Sequence, residues 1–126
     1  MAAEVPKPAE NPKDALGKVK PCISFIPSIA ILMEGVVMAL GGRKYGPFNW
    51  RETSVQASVY SDAAFRHLAA WNDGEENDPE SGVSHLAHVR ANIGILIDAQ
   101  AHGTMRDDRA KSGKVAEFLK AFDKKG

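Results

Sequence analysis

The chain lacks a surplus of charge of either sign. Its 126 residues include 16 Lys and Arg and 16 Asp and Glu, so the formal net charge at pH 7 is zero. Proteins that bind duplex DNA through its phosphates usually carry a basic excess, and we therefore expect no duplex DNA partner. The length suffices for one domain of ordinary size but not for two.

Cysteine and long hydrophobic runs are also scarce. Cys22 is the single cysteine, which excludes an intrachain disulfide and a cysteine-based zinc site and leaves histidines and acids as metal ligands. The longest apolar stretch, residues 29–40, is interrupted by Glu34 and Gly35. It is shorter than the about 20 residues that span a bilayer, and no hydrophobic secretory signal precedes it. These absences predict a cytoplasmic protein without a membrane partner.

The N-terminal segment differs in composition from the rest of the chain. It contains several prolines and alternating charges, and it has too little apolar surface to offset the entropy that is lost on ordering. We predict a flexible arm over residues 1–21 and a single all-α domain over residues 22–126.

The first predicted helix is apolar nearly all round. It begins near Pro27, continues from Ile29 to Leu40 and is expected to stop at Gly41-Gly42. Such a helix is typically buried, although a short buried strand has a similar pattern and remains an alternative. Because one small chain can hardly cover this helix, we expect a homo-oligomer, either a dimer or a tetramer.

Three more helices are predicted to complete a small antiparallel bundle. Thr53 and Gln56 have the spacing of a capping box and start the second helix. The run Asp78-Pro79-Glu80 is expected to cap the third helix, which ends near His102, before Gly103. The apolar stripes of the second, third and last helices are Tyr60, Ala64, Leu68 and Trp71; Leu86, Ile93 and Ile97; and Val115, Phe118, Leu119 and Phe122.

Polar residues cluster around the junction of the second and third predicted helices. His85, His88 and Asn92 lie on one stripe of the third helix. The other members precede them in the chain: Arg66, His67, Glu75, Asp78 and Glu80. Carboxylates and imidazoles that converge between antiparallel helices are suitable ligands for a divalent metal ion. Helix caps, core histidines and a solvated acidic turn explain the same residues, so both interpretations stay open.

A second candidate site is the segment 43–51, which mixes cations, aromatic rings and one amide. Its cations could bind the phosphates of a nucleotide while a ring stacks on the base. Alternatively, the aromatic residues of the segment simply cover the core. A Walker phosphate-binding loop is excluded, because Pro47-Phe48 stands where Lys and Ser or Thr are required after Gly46.

Taken together, these motifs resemble one family of small phage proteins. The residues that carry the resemblance are Lys44-Tyr45-Gly46, Asn49-Trp50-Arg51, Arg66-His67-Leu68, Gly74-Glu75, Asp78-Pro79-Glu80-Ser81-Gly82, His85-Leu86-Ala87-His88 and Asn92. They are similar to the dATP/dGTP diphosphohydrolase N-terminal family, which is typified by the MazZ proteins of phages that replace adenine by diaminopurine in their DNA. The similarity extends from about Pro27 to Gln100.

The resemblance implies a MazG-like all-α fold and hydrolysis of purine deoxynucleoside triphosphates, dGTP and dATP, to monophosphate and pyrophosphate. It also implies Mg²⁺ or Mn²⁺ as cofactor and, for a phage protein, location in the host cytoplasm. Standard MazG-like enzymes carry the acidic pairs Glu-x-x-Glu and Glu-x-x-Asp. In this chain the first pair is Glu34-x-x-Val37, which keeps only one acid. His85-x-x-His88 stands where the second acidic pair might lie. Imidazole ligands would shift the metal preference toward Mn²⁺ or Co²⁺.

On this basis we assign candidate roles to residues of both sites. The candidate catalytic residues are Glu75, Asp78 and His88. The candidate metal ligands are Glu34, Asp62, Glu75, Asp78, Glu80, His85 and His88. The candidate substrate-binding residues are Lys44, Tyr45, Asn49, Trp50, Arg51, Arg66, His67 and Asn92. The alternative is a non-catalytic nucleotide-binding or assembly module with a structural His/Asp cluster.

Overall fold

An antiparallel pair of helices forms the centre of the fold. The computed structural model describes residues 8–123, and the predicted all-α class is confirmed over this range. The elements are α1 (Pro12–Gly17), α2 (Ser28–Tyr45), β1 (Val55–Gln56), α3 (Ala57–Asn72), α4 (His85–Ala101), β2 (Met105–Arg106) and α5 (Lys114–Asp123), with 3₁₀ turns at Ile23–Phe25 and Asn49–Arg51. No helix in this range is both long enough and apolar enough to cross a membrane.

Small side chains let α3 and α4 approach each other closely. The buried positions of the two helices include Ala57, Ala64, Ala87, Ala91 and Ala99. The pair is antiparallel, because Val55 before α3 lies beside Met105 after α4. At the other end, His67 of α3 lies beside His85 of α4. The helix pair therefore sets which polar side chains meet at the end where the chain passes from α3 to α4.

A short parallel bridge closes the opposite end of the helix pair. Val55 of β1 donates its backbone N–H to the carbonyl oxygen of Thr104 at 3.0 Å, next to β2. Val55, Trp50 and Ala99 form a small buried core cluster. Half-buried apolar side chains pack against it from α2, α3, α4 and β2: Met38, Tyr60, Ile95 and Met105.

The turn that leads out of α2 is held on α4 by one carboxylate. Asp98 Oδ2 accepts from Trp50 Nε1 at 2.7 Å and from Arg51 Nε at 2.8 Å, and Asp98 Oδ1 accepts from Arg51 Nη2 at 3.0 Å. The Arg51 guanidinium also lies 4.3 Å from the ring centre of Phe48, which has a left-handed backbone with φ of 57°. The hydrogen bonds from Arg51 and Trp50 hold the pKa of Asp98 well below its usual range.

The helix α2 packs on α4 through one face only. The half-buried residues of that face recur at helical spacing: Ala30, Met33, Glu34, Val37, Met38 and Gly41. Glu34 Oε1 accepts from Arg90 Nε at 3.2 Å, and Arg90 Nη2 lies 3.1 Å from the same oxygen in an ion pair. Gly94 gives this carboxylate room, since a Cβ there would lie 2.9 Å from Glu34 Oε2. The prediction of a buried helix fails within one chain, because no residue of α2 is buried.

Two predicted helix boundaries are wrong. α2 does not stop at Gly41-Gly42, because its hydrogen bonds continue until Gly46 donates its N–H to the Gly42 carbonyl oxygen at 2.9 Å. Gly46, with φ of 90°, then turns the chain out of the helix. α4 begins at His85, not at Asp78, because the Ser84 hydroxyl caps it. The predicted end of α4 before Gly103 is confirmed, and that glycine has φ of 73°.

The predicted apolar stripe of α4 is exposed. Leu86, Ile93 and Ile97 face solvent in the single chain, whereas the buried residues of α4 are His85 and three alanines. The polar stripe that contains His85 therefore lies toward the interior. Periodicity alone did not distinguish the two faces, because alanine contributes little to an apolar stripe and histidine counts as polar.

The two ends of the described chain carry exposed helices. The last predicted helix is confirmed as α5, and its apolar stripe is exposed. Part of the predicted arm forms α1, because the Asn11 side chain accepts from the Lys13 backbone N–H at 2.9 Å and Pro12 occupies the first turn. Residues 1–7 of the arm lie outside the described residues.

The first turn of α3 is capped by a residue that is distant in sequence. The predicted capping box of Thr53 and Gln56 is not formed. Instead, Asp108 accepts from the Ser58 backbone N–H at 2.8 Å, from the Ser58 hydroxyl and from Gln56 Nε2 at 2.7 Å. These hydrogen bonds, above all the one from the Ser58 hydroxyl, lower the pKa of Asp108 to about 2. A carboxylate at the N-terminus of a helix also interacts favourably with the helix dipole.

Replacing Asp108 by Ala is expected to lower the melting temperature by a few degrees, because the first turn of α3 loses its cap. Since the folded-state pKa is depressed, the stabilisation by Asp108 is present above about pH 4 and is lost as the pH falls toward about 2. Thermal unfolding of the parent and the variant at several pH values measures this difference. Asp73→Ala is the matched control, because Asp73 is an exposed acid that follows the opposite end of α3. Equal effects of the two substitutions would contradict the capping role.

Candidate functional site

One cleft of about 670 Å³ joins the two candidate sites that the sequence suggested. Its polar lining residues are His67, Asp78, Glu80, Ser81, His88 and Asn92, and the segment 44–50 contributes to its wall. Its apolar lining includes Met38, Tyr60 and Ile95. Tyr60 and His67 are two helical turns apart on α3, which is about 10 Å along the helix axis. The cleft is therefore long enough to present an apolar wall and a polar cluster to the same ligand.

Three side chains form a hydrogen-bonded row at the polar end. His85 Nε2 lies 2.6 Å from Glu75 Oε1, and His85 Nδ1 lies 2.8 Å from His67 Nδ1. His85 is almost completely buried, with 3% of its surface exposed. An ionised carboxylate can only accept, so Nε2 of His85 carries the proton that it donates to Glu75, and in the neutral imidazole Nδ1 is then the acceptor that faces His67. Glu75 thus fixes the tautomer of His85.

Asp78 lies beside this row and closes a tight turn. Its Oδ1 accepts from the backbone N–H groups of Glu80 at 2.7 Å and of Ser81 at 3.0 Å. Its Oδ2 lies 3.6 Å from His67 Nδ1. The hydrogen bond from the Ser81 backbone, followed by the one from Glu80, lowers the pKa of Asp78. Asp78 is therefore an anion at neutral pH, with one oxygen occupied by the turn and the other directed at the histidines.

His88 belongs to the same cluster but has a different partner. Its Nε2 lies 2.7 Å from the Ser81 hydroxyl, and its ring stacks on His67 with 4.5 Å between the ring centres. The Ser81 hydroxyl oxygen also accepts from the Val83 backbone N–H at 3.1 Å. The Ser81 hydroxyl therefore joins the His88 imidazole to the backbone of the turn. Burial lowers the pKa of both His67 and His88, so both imidazoles are neutral near pH 7.

The cluster has the donor set of a divalent transition-metal site. One ligand atom from each of His67, Asp78 and His85 lies within 4.8 Å of the other two. The Nδ1 atoms of His85 and His67 lie 2.8 Å apart. Two lone pairs cannot face each other at this distance, so either a proton or a cation must lie between the two nitrogens. A carboxylate–histidine pair, here the exposed Glu75 and the buried His85, is a common outer arrangement around metal-bound histidine. The residues therefore fit a divalent ion held by two imidazoles and one carboxylate.

The structure brings part of the predicted site together. Five predicted residues contact one another and form what we call the His/Asp cluster: His67, Glu75, Asp78, His85 and His88. Six more line the same cleft: Lys44, Tyr45, Asn49, Trp50, Glu80 and Asn92. The remaining four are placed differently. Glu34 pairs with Arg90 and Arg51 with Asp98, while Asp62 and Arg66 are exposed on α3.

Three residues that line the cleft or hold its wall, Ser81, Tyr60 and Asp98, are not among the predicted site residues. Ser81 was seen only as part of a motif, and no spacing rule relates its hydroxyl to His88. The spacing predicts Tyr60 only as part of the apolar stripe of α3. Asp98 could have been found, because it is the only acid within α4, and an isolated carboxylate in an apolar helix usually has a specific partner.

Comparison with known proteins identifies the family. A family model described as dATP/dGTP diphosphohydrolase, N-terminal, matches residues 10–109. The chain belongs to this family. This confirms the resemblance that the motifs indicated.

One relative extends the comparison. A protein of Salmonella phage PMBT28 named dATP/dGTP diphosphohydrolase is 29% identical over 79 residues, which are 63% of this chain and 27% of the phage protein. The chain thus spans about a quarter of the length of that relative. No solved structure matches the chain. The family and the name of the relative suggest nucleotide hydrolysis.

The lowered pKa values of His67 and His88 predict that the metal-free protein loses stability in mild acid. The unfolded chain, with histidine pKa values near about 6.5, takes up protons before the folded chain does. The free energy of unfolding should therefore fall as the pH drops from about 7 toward the folded-state pKa values. Melting temperatures between about pH 8 and about pH 5, with a chelator present, measure this slope.

The variant His88→Asn should have a smaller slope than the parent protein. Asp73→Asn is the control, because it changes an exposed residue and leaves the imidazoles in place. A parent protein with constant stability over this pH interval would contradict the assignment of neutral imidazoles.

Proposed function

We propose that this chain binds a purine deoxynucleoside triphosphate, dATP or dGTP, in the cleft and hydrolyses it to monophosphate and pyrophosphate with the help of a divalent metal ion. The observation that carries the proposal is the shared cleft: a His/Asp cluster, an exposed lysine and an apolar wall all line one cavity or adjoin it. Membership of the dATP/dGTP diphosphohydrolase family supports the nucleotide substrate.

His67, Asp78 and His85 would hold the metal ion, and Glu75 would orient His85 behind it. When bound, a divalent ion supplies positive charge for the phosphates and lowers the pKa of a coordinated water molecule. Imidazole donors favour Mn²⁺ or Co²⁺, whereas Mg²⁺ prefers oxygen ligands. We therefore place Mn²⁺ and Co²⁺ before Mg²⁺ among the candidate cofactors. Glu80 adds a further carboxylate to the lining of the same cleft.

His88 and Ser81 would manage the proton of the attacking water molecule. The water oxygen forms a bond to the α-phosphorus, while the bond from that phosphorus to the oxygen bridging to the β-phosphate breaks and its electron pair leaves with pyrophosphate. His88 Nε2 is neutral and is 2.7 Å from the Ser81 hydroxyl. The proton can pass from water to His88 directly or through this hydroxyl.

The other cleft residues would bind the nucleotide itself. Lys44 lines the cleft with its ammonium group 5.4 Å from the ring centre of Tyr45, and it would contact the phosphates as a point charge. The apolar wall of Met38, Tyr60 and Ile95 suits the flat face of a base. Arg51 has a smaller role than the sequence predicts, because its guanidinium is already bound by Asp98.

The second candidate function is a non-catalytic nucleotide-binding or assembly module. The hydrogen bonding of the cluster favours it, because no buried side-chain polar atom of residues 8–123 lacks a hydrogen-bond partner. A cluster that is fully satisfied without a ligand can be purely structural. Incubation of the protein with dGTP or dATP and Mn²⁺ distinguishes the two functions. Release of pyrophosphate supports the hydrolase, and binding without turnover supports the module.

Asp78→Asn should reduce metal-dependent pyrophosphate release by more than about 100-fold, because loss of an outer partner of a metal ligand alone costs about 10–100-fold. Asn retains an oxygen that can accept from the turn, so the variant is expected to remain folded. Turnover with dGTP and Mn²⁺ is the measurement, and circular dichroism checks the fold. Asp73→Asn, which changes an exposed acid before the same turn, is the matched control. A folded Asp78→Asn variant with parental turnover would place the metal site elsewhere.

Lys44→Ala should raise KM for dGTP roughly tenfold, since it removes a charge-assisted contact with the phosphates. The melting temperature should change little, because Lys44 is exposed and has no salt bridge among the described residues. Arg43→Ala is the matched control, because Arg43 is the preceding cation on α2 and does not line the cleft. If both variants have the same KM, Lys44 does not bind substrate.

A further inference from the structure

Phe48 has a backbone conformation that its side chain disfavours. Among residues 8–123 it is the one residue other than glycine with a positive φ, which is 57° with ψ of 27°. This left-handed region costs a bulky residue free energy that glycine or asparagine would largely avoid. Residues held in such a conformation cluster at ligand-binding and active sites, where the surrounding structure maintains the strain. The backbone of Phe48 therefore indicates that its ring does more than fill space.

Two neighbours fix the Phe48 ring. The guanidinium carbon of Arg51 lies 4.3 Å from the ring centre, and the ring centre of Trp50 lies 5.5 Å away with 53° between the two ring planes. Both neighbours donate hydrogen bonds to Asp98 of α4. The ring belongs to a connecting segment, but these contacts tie its position to the helix that also carries His85 and its cluster partners.

The rest of the Phe48 ring is open to the cleft. Phe48 lines the cleft, and 52% of its surface is exposed, whereas Trp50 two residues later is buried. A phenylalanine that only covered the core would be buried as Trp50 is. An anchored ring that is half exposed within a cavity is a suitable stacking surface for a flat ligand.

We propose that the exposed surface of the Phe48 ring is the platform on which the base of the nucleotide stacks, and that Arg51 positions this ring. The inference rests on the proposed function, which supplies the nucleotide. Stacking uses the flat face that every base has and does not read its hydrogen-bonding edge. The platform would therefore let one cleft accept both dGTP and dATP. Arg51 is a positioning residue here, because its guanidinium is bound by Asp98 on one side and covers Phe48 on the other.

Calorimetric titration with two probes in the presence of Mn²⁺ tests the proposal. The first probe is a dGTP analogue with a methylene group between the α- and β-phosphorus atoms, which cannot be hydrolysed at that position. The second is inorganic triphosphate, which has no base. Phe48→Leu should weaken binding of the analogue about 5- to 150-fold, the range for loss of one base–aromatic stack, and should leave the affinity for inorganic triphosphate unchanged. Phe48→Tyr keeps a ring and should retain the parental affinity for both probes.

Further variants separate stacking from general damage to the cleft. Phe65→Leu is the matched control, because it makes the same change at an exposed phenylalanine of α3 that does not line the cleft, and it should bind both probes as the parent does. Arg51→Ala should weaken binding of the analogue alone, because the ring loses its support. Phe48→Asn is a second variant without a ring, and asparagine tolerates the left-handed conformation. Circular dichroism checks that each variant is folded.

The possible failures are distinguishable from one another. Folded Phe48→Leu and Phe48→Asn variants with parental affinity for the analogue would overturn the platform and leave the proposed function standing. Equal losses of affinity for both probes would show that Phe48 maintains the cleft as a whole and does not bind the base. Weaker binding of inorganic triphosphate by Arg51→Ala would assign the guanidinium to the phosphates. A parent protein that does not bind the analogue would overturn the platform and the proposed function together.

Discussion

The close packing of α3 against α4 is the constraint on which the rest of the structure depends. The buried alanines let the two helices approach each other closely, so functional groups on facing turns come within hydrogen-bond distance. At one end this packing places His67 against His85, and at the other it places Ala99 within the core beside Val55 and Trp50. The site and the core are thus two ends of one helix contact, and a side chain larger than alanine at this contact would disturb both.

The sequence predicts the helices better than it predicts their ends and faces. Apolar periodicity and the glycine after α4 identify α2, α3, α4 and α5, because these signals are local. The cap of α3 was missed, because its acceptor, Asp108, is far from Ser58 in the sequence. The inward face of α4 was missed, because alanine and histidine carry the packing there. The membership of the His/Asp cluster was predicted from ligand chemistry, whereas the pairings of Glu34 and Arg51 depend on tertiary contacts with α4.

The His/Asp cluster combines two properties that sequence reasoning treats as alternatives. Every member has a hydrogen-bond partner, which is what a structural cluster requires, and three members direct ligand atoms to a common point, which is what a metal site requires. A proton shared by His67 and His85 can occupy the place that a cation would take. The same side chains then satisfy one another without an ion, and under the proposed function they would have to move little when one binds.

The capping of α3 by Asp108 has a consequence for the way the chain folds during its synthesis. The N-terminal part of the chain leaves the ribosome first, so Ser58 emerges well before Asp108. Until Asp108 has emerged, the first turn of α3 has no carboxylate to cap it. The pairing of Val55 with Met105 is delayed in the same way. A nascent chain that has exposed α2, α3 and most of α4 still lacks both closures, and its apolar faces remain available to other chains. The segment from Met105 to Asp108 therefore supplies these contacts of α3 last.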